Sequence, residues 1–242
     1  MRRPAEAWTP VVQEFLAHLR NAGFSGAPRP LGFDEHGRQV LEYIEGEVLA
    51  IAQDPFGDLV LGRWPDDWRS DEALAAAGAL LRQLHDAARG FRTEHAEWRL
   101  YDHPMRPGEI LCHGDAAPWN AVYREGRPVA FIDFDSARPD TPLLDLAWAA
   151  WHFVPLADAG TARTLGFDDV AYGARLAVFL SAYGLADRSG LAQALQHVKA
   201  REAGYPSFWR LGPAATAGYL DHVAEQLRWL AAELPAIERA IA

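Results

Sequence analysis

Residues 111–120 read "LCHGDAAPWN", and residues 129–135 read "VAFIDFD". The first places His113, Asp115 and Asn120 within one short loop. The second ends an apolar run on Asp133 and Asp135. Acidic and amide groups beside Phe, Ile and Trp carry a desolvation cost unless they are paired or used. "EILC" before the loop has strand composition, and "NAVYREGRPVAFIDFD" reads as a β-hairpin turning at "REGR". A hairpin brings the start of one strand beside the end of the other, so Asn120 and Asp133 can face each other across the ladder. One amide oxygen and one carboxylate suit Mg²⁺, a hard cation that keeps several waters and takes few protein ligands. Asp115, nearby but not on the metal, is free to accept a proton from a hydroxyl.

Working outward, Thr9-Pro10 reads as an N-cap and first helical position, and Gly23 as a helix end. Leu31 to Phe33, the turn Asp34–Gly37 and Gln39 to Ile44 read as a hairpin leading into the acidic connector Glu45-Gly46-Glu47. Residues 48–69 read as irregular. From Ser70 a helical stripe runs through Leu74, Leu80, Leu81, Leu84 and His85. Helices are predicted over 143–153, 168–183, 189–203 and 213–241, the last broken at Pro235. The fold class is α+β with two lobes: a small N-terminal unit over 1–46, and a mostly helical body over 47–242 that carries both motifs.

Composition narrows the function. Half of the 242 residues are hydrophobic, which provides a sizeable core. One cysteine, Cys112, excludes a disulfide framework and a cysteine-rich zinc site. The net charge of −10 argues against nucleic acid as partner. No apolar run is long enough to span a bilayer, and no signal peptide is visible, so a cytoplasmic protein without a membrane partner is expected. Of the 23 basic residues only Lys199 is a lysine, so no lysine is available before that position.

The spacing His113-Gly114-Asp115-x-x-x-x-Asn120, followed by Asp133 on the next strand, matches the kinase loop H-R-D-x-x-x-x-N and its following Asp. "HGDAAPWN", "FIDFDSA" and "DLAWA" together resemble the aminoglycoside phosphotransferase and choline kinase-like family of the protein-kinase-like fold. The likeness covers about residues 23–155: "GFSGAPRPLGFDEHGRQVLEYIEGE" resembles the family's N-lobe strands and hinge, and "LRQLHD" its helix before the catalytic loop. The resemblance implies a small-molecule phosphotransferase with Asp115 as catalytic base. It implies Mg²⁺ on Asn120 and Asp133, and ATP or GTP as phosphoryl donor, with Tyr43 and Ile44 of the hinge among the nucleotide-binding residues. Asp145 would hold the catalytic loop, and His113 would brace it. Asp135 has no firm family role. The acceptor would be a hydroxyl compound, often cationic in the family, bound by the helices of about 156–242. Glu202, Asp221 and Glu225 are acidic candidates there and also fit a solvated helix face. Tyr205, Phe208 and Trp209 fit an aromatic wall or core.

The N-terminus departs from the family pattern. No glycine precedes Gly23, so the Gly-rich loop is missing, and so is the strand lysine. Arg2 or Arg3 is the substitute cation, with Glu14 a candidate partner. A strand pair upstream of Met1 is the other reading of this gap. Two functional alternatives follow: a non-catalytic, kinase-like binding or immunity-type protein, and a metal-dependent phosphoesterase. The second has too few His and Asp ligands for a two-metal site.

Overall fold

A computed structural model describes residues 1–49, 51–53, 59–94, 97–100 and 103–241. Its N-terminal part is a three-stranded antiparallel sheet, β1 (Arg2–Arg3), β2 (Pro30–Phe33) and β3 (Gln39–Leu41), in the order β1-β3-β2, with α1 (Thr9–Asn21) beside it. Arg2 pairs with Val40 and Arg3 with Gln39. Helix α1 buries Val11, Val12, Phe15, Leu16 and Leu19 at helical spacing, and Gly23 follows it in the left-handed region at φ +86°. The described residues within 48–69 are more regular than their composition implied. They hold a second antiparallel hairpin, β4 (Ile51–Gln53) with β5 (Leu59–Leu61), whose strands are too short to show an alternating pattern.

Helix α2 (Asp71–Ala88) opens on the Ser70 hydroxyl, which accepts from the Ala73 N–H. The strand before the loop of His113, Asp115 and Asn120, β6 (Ile110–Cys112), pairs with β9 (Arg138–Asp140). The predicted hairpin is β7 (Ala121–Arg124) and β8 (Arg127–Phe131). Arg124 pairs with Arg127 around the two-residue turn Glu125-Gly126, both at positive φ. That geometry matches the right-handed twist of the flanking strands.

Helices α3 (Pro142–Phe153), α4 (Ala159–Thr164), α5 (Tyr172–Tyr183), α6 (Leu191–Arg201), α7 (Tyr205–Trp209) and α8 (Pro213–Ile241) complete the body. Helix α2 packs on α5, where a Cβ on Gly78 would lie 2.5 Å from the Phe179 carbonyl oxygen. The predicted break at Pro235 does not occur: α8 continues through it to Ile241. Buried Leu230, Ile237 and Ile241 flank the proline on both sides and hold the helix to its neighbours, which outweighs one lost hydrogen bond. No described helix is long and apolar enough to cross a membrane.

The connector after β3 meets the hairpin at one point. Glu47 bridges Tyr123 through two backbone hydrogen bonds. A Cβ on Gly46 would lie 2.6 Å from the Tyr123 carbonyl oxygen, so this close approach requires glycine.

Candidate active site

The catalytic-loop candidates sit between β6 and β7, held from below by buried polar groups. His113 is fully buried. Its Nδ1 accepts from the Asp115 N–H at 3.2 Å, so Nε2 carries the proton and donates to the Ile132 carbonyl at 3.0 Å. Burial lowers its pKa, which keeps the ring neutral. Asp145, at the start of α3, accepts from the Gly114 N–H at 2.9 Å and from His85 Nε2 at 2.9 Å. Burial pushes its pKa up, but the His85 hydrogen bond and charge outweigh this and hold it at about 2.

Gly114 occupies the position that is arginine in H-R-D. It lies at φ +79°, and a Cβ there would be 2.1 Å from the Ser136 carbonyl oxygen and 2.6 Å from Arg138 Nη1. Arg138, buried on β9, instead brings its own guanidinium to the Gly114 carbonyl at 2.7 Å. The loop therefore has an arginine beneath it, supplied by another strand.

Asp115 is half-buried. Its Oδ1 accepts from Trp148 Nε1 at 3.2 Å and its Oδ2 from Asn120 Nδ2 at 2.8 Å. Burial pushes its carboxyl up to about 7, against the lowering effects of Arg138, Trp119 and Asn120. The Asn120 amide nitrogen also donates to the Asp115 carbonyl, which leaves Oδ1 as that side chain's donor atom for a cation. The Asn120 carbonyl accepts from the Ile132 N–H, placing Asn120 one residue from Asp133 across the hairpin end. Asp133 takes a left-handed conformation, φ +59°, and its carboxylate is half exposed. Amide and carboxylate oxygens with one exposed face are a donor set that fits Mg²⁺.

Arg3 reaches this acidic end from β1. Nη1 lies 3.1 Å from Asp133 Oδ1 and Nη2 lies 2.5 Å from Asp135 Oδ1, while Nε donates to the buried Gln39 side chain. Burial raises the Asp135 pKa and Arg3 lowers it. Arg2, on the opposite face of the strand, turns away to Asp34. Glu14 accepts from the Thr93 hydroxyl.

A cavity of about 420 Å³ opens beside Asp133 and brings together Arg3, Tyr43, Ile44, Val122, Ile132 and Asp133. Asn120 is not in its lining. Among the C-terminal candidates, Asp221 and Glu225 are exposed, whereas Glu202 is buried and not on a solvated face. It pairs with Lys199 at 2.6 Å and accepts from the Tyr219 hydroxyl at 3.1 Å. Tyr205 is half-buried against Trp148; the side chains of Phe208 and Trp209 lie outside the described residues.

Sequence reasoning gave Arg138 no role, read His85 only as part of a helical stripe and read Trp148 as core, which it is, without its hydrogen bond to Asp115. A signal existed for two of them. His85 interrupts an apolar helical stripe, and Trp148 follows Asp145 by one helical turn on the face that meets the loop.

Comparison with known proteins agrees with this geometry. The sequence model of the phosphotransferase enzyme family (APH) matches residues 91–179. A trifolitoxin immunity protein from Rhizobium leguminosarum bv. trifolii is 35% identical over 189 residues, 76% of this chain and 67% of that protein. The amicoumacin kinase hAmiN, solved with AMP-PNP and Ca²⁺, superposes with a TM-score of 0.64 at 14% identity, over 93% of this chain and 78% of its own. Choline kinase LicA from Streptococcus pneumoniae gives 0.56 at 15% identity, over 93% and 84%. At such identities the structural likeness speaks for the protein-kinase-like fold alone. The sequence relative, the family match and the fold agree, and the chain belongs to the phosphotransferase enzyme family.

Proposed function

We propose that this protein transfers the γ-phosphate of ATP or GTP to a hydroxyl of a small molecule. The observation that carries this reading is the arrangement around Asp115: its carboxylate is fixed by Asn120 and Trp148, beside a cleft that Arg3 and Asp133 line. Residues 1–46 would cover the nucleotide and 47–242 would carry the chemistry, with Tyr43 and Ile44 on the base. Asp115 accepts or orients the acceptor's proton; a carboxyl near neutrality is suited to that task. Mg²⁺, when held by Asn120 Oδ1 and Asp133, supplies neutralisation of charge between the phosphates. Arg3 supplies a fixed positive charge at the same end and differs from a lysine in presenting a planar fork.

One observation favours a second reading. The 35% identical relative is named for immunity to a toxin, which fits a protein that binds a toxic small molecule with or without turnover. Titration calorimetry with Mg·ATP and Mg·GTP, on the protein and on Asp133→Ala, separates the two. Binding that requires Mg²⁺ and is lost in the variant is expected. No binding at millimolar nucleotide would overturn phosphotransfer and leave the binding reading.

A further inference from the structure

Arg3 and Asp133 line the cavity of about 420 Å³, but two further partners of Arg3 do not. Gln39, fully buried on β3 and opposite Arg3 in the sheet, accepts from Nε at 2.5 Å. Asp135 accepts from Nη2 at 2.5 Å. Two of the three guanidinium nitrogens are therefore held by residues outside the cavity. The third, Nη1, reaches Asp133 at 3.1 Å. In protein kinases a helix glutamate pairs with the strand lysine. Here Glu14 of α1 accepts from the Thr93 hydroxyl, and the ion pairs of Arg3 among the described residues run to the two acids at the hairpin end.

The two acids are not equivalent. The Asp133 side chain is 49% exposed and the Asp135 side chain 19%. Asp135 stands on the turn Phe134–Ser136, closed by the Ala137 N–H donating to the Phe134 carbonyl at 3.0 Å. Phe134 beside it is buried against Phe15 of α1 and the His113 ring, with centroids 6.0 and 4.4 Å apart. Asp135 therefore rests on a segment packed from both sides. Its partner sits on a two-residue edge strand and has a long, flexible stem. Ordering such a stem at the moment of binding costs affinity, and holding it beforehand removes that cost. The shielded acid off the cleft is placed to hold Arg3; the exposed acid on the cleft is placed to meet a ligand.

We infer that Asp135, with Gln39, is a positioning residue for Arg3: the pair takes the place of the helix carboxylate and fixes the guanidinium so that Nη1 is presented to a nucleotide phosphate. When Asp133 turns its carboxylate to a cation, Nη1 is released while Nε and Nη2 keep their partners. This rests on the phosphotransfer reading of the cleft.

The test has two readouts on the whole chain. Without nucleotide, NMR of protein carrying isotope-labelled arginine follows the Arg3 Nε–H signal, assigned by its loss in Arg3→Ala. Its exchange with solvent should be about fivefold faster in Asp135→Asn, the loss of one net hydrogen bond. With nucleotide, calorimetry should show Mg·ATP binding about fivefold weaker in Asp135→Asn, and no further weakening when that substitution is added to Arg3→Ala. A loss caused by a disturbed fold or by direct metal contact would persist in the Arg3→Ala background. Thermal melts show whether Asp135→Asn folds; if it does not, Gln39→Met, which removes the other acceptor, decides by the same readouts. Unchanged exchange of the Arg3 signal overturns the inference, and so does weakening that persists in Arg3→Ala. Binding that Asp135→Asn leaves unchanged or strengthens overturns this inference alone. No Mg·ATP binding by the unaltered protein overturns the phosphotransfer reading and this inference with it.

Discussion

Arg3 and Asp135 lie 132 positions apart in the chain and are joined by a 2.5 Å ion pair. The same guanidinium reaches Asp133 at 3.1 Å, so one cation from the N-terminal strand sits between the two acids that end the hairpin. Two carboxylates this close repel, and Arg3 relieves that repulsion. Arg3 faces the acids because Arg2 and Arg3 point to opposite sides of β1, whose register on β3 assigns Arg2 to the Asp34 side.

If the protein is the proposed phosphotransferase, this geometry gives Arg3 two roles, a nucleotide contact and a competitor of metal. Arg3→Ala should weaken Mg·nucleotide binding about tenfold, with Arg3→Lys restoring only part of it. In the absence of nucleotide, Mg²⁺ alone should bind more tightly to Arg3→Ala than to the unaltered protein. Calorimetry reads both; a variant that loses affinity for Mg²⁺ alone would contradict the competing role.

Asp115→Asn keeps the shape of the side chain and removes the proposed base. Once an acceptor is in hand, turnover should fall by about 10²–10⁴. Nucleotide affinity should stay within about twofold, since the proposed metal donors are Asn120 and Asp133. Single-turnover transfer and a nucleotide titration on the same preparation separate the two quantities.

Asp145 links stability to pH. Its folded pKa, about 2, lies below the ordinary value of 3.8. The stability it contributes is therefore fully present above about pH 4 and is lost as pH falls towards 2. Asp145→Asn should destabilise the protein at pH 7 by about 3 kcal/mol, by urea unfolding, and should flatten the acid limb below pH 4. An unchanged acid limb would show that the charge on this carboxyl does not matter to the fold.

Gly114→Ala meets backbone as well as side chain, because a Cβ would lie 2.1 Å from the Ser136 carbonyl oxygen. The positive φ adds strain of its own. A loss of at least about 2 kcal/mol in chemical denaturation is expected. The remaining folded fraction should bind nucleotide less well, since the loop carrying Asp115 must shift.

Much of the fold was legible because local signals agreed with it. The Ser70 cap, the "REGR" turn and the helix ending at Gly23 each depend on one or two residues whose backbone preferences are strong. The β4–β5 hairpin was missed because three-residue strands carry too little pattern. Pro235 misled because tertiary packing along α8 overrides the local cost of a proline. Glu202 misled because a buried acid and a solvated one look alike until the lysine beside it, three residues back on the preceding helix, is seen to be buried with it.

The linear order of residues determined the loop that carries His113, Asp115 and Asn120, the hairpin that leads to Asp133, and the family resemblance those residues carry. Spacing along one loop and one hairpin is a local matter, and short-range geometry translates it directly into proximity. Tertiary structure alone decided which cation faces the acids, what lies beneath Gly114, and which lysine is buried with Glu202. The first two join residues tens to more than a hundred positions apart, the third depends on which helix face is buried, and strand register and helix packing, which no short stretch encodes, set all three.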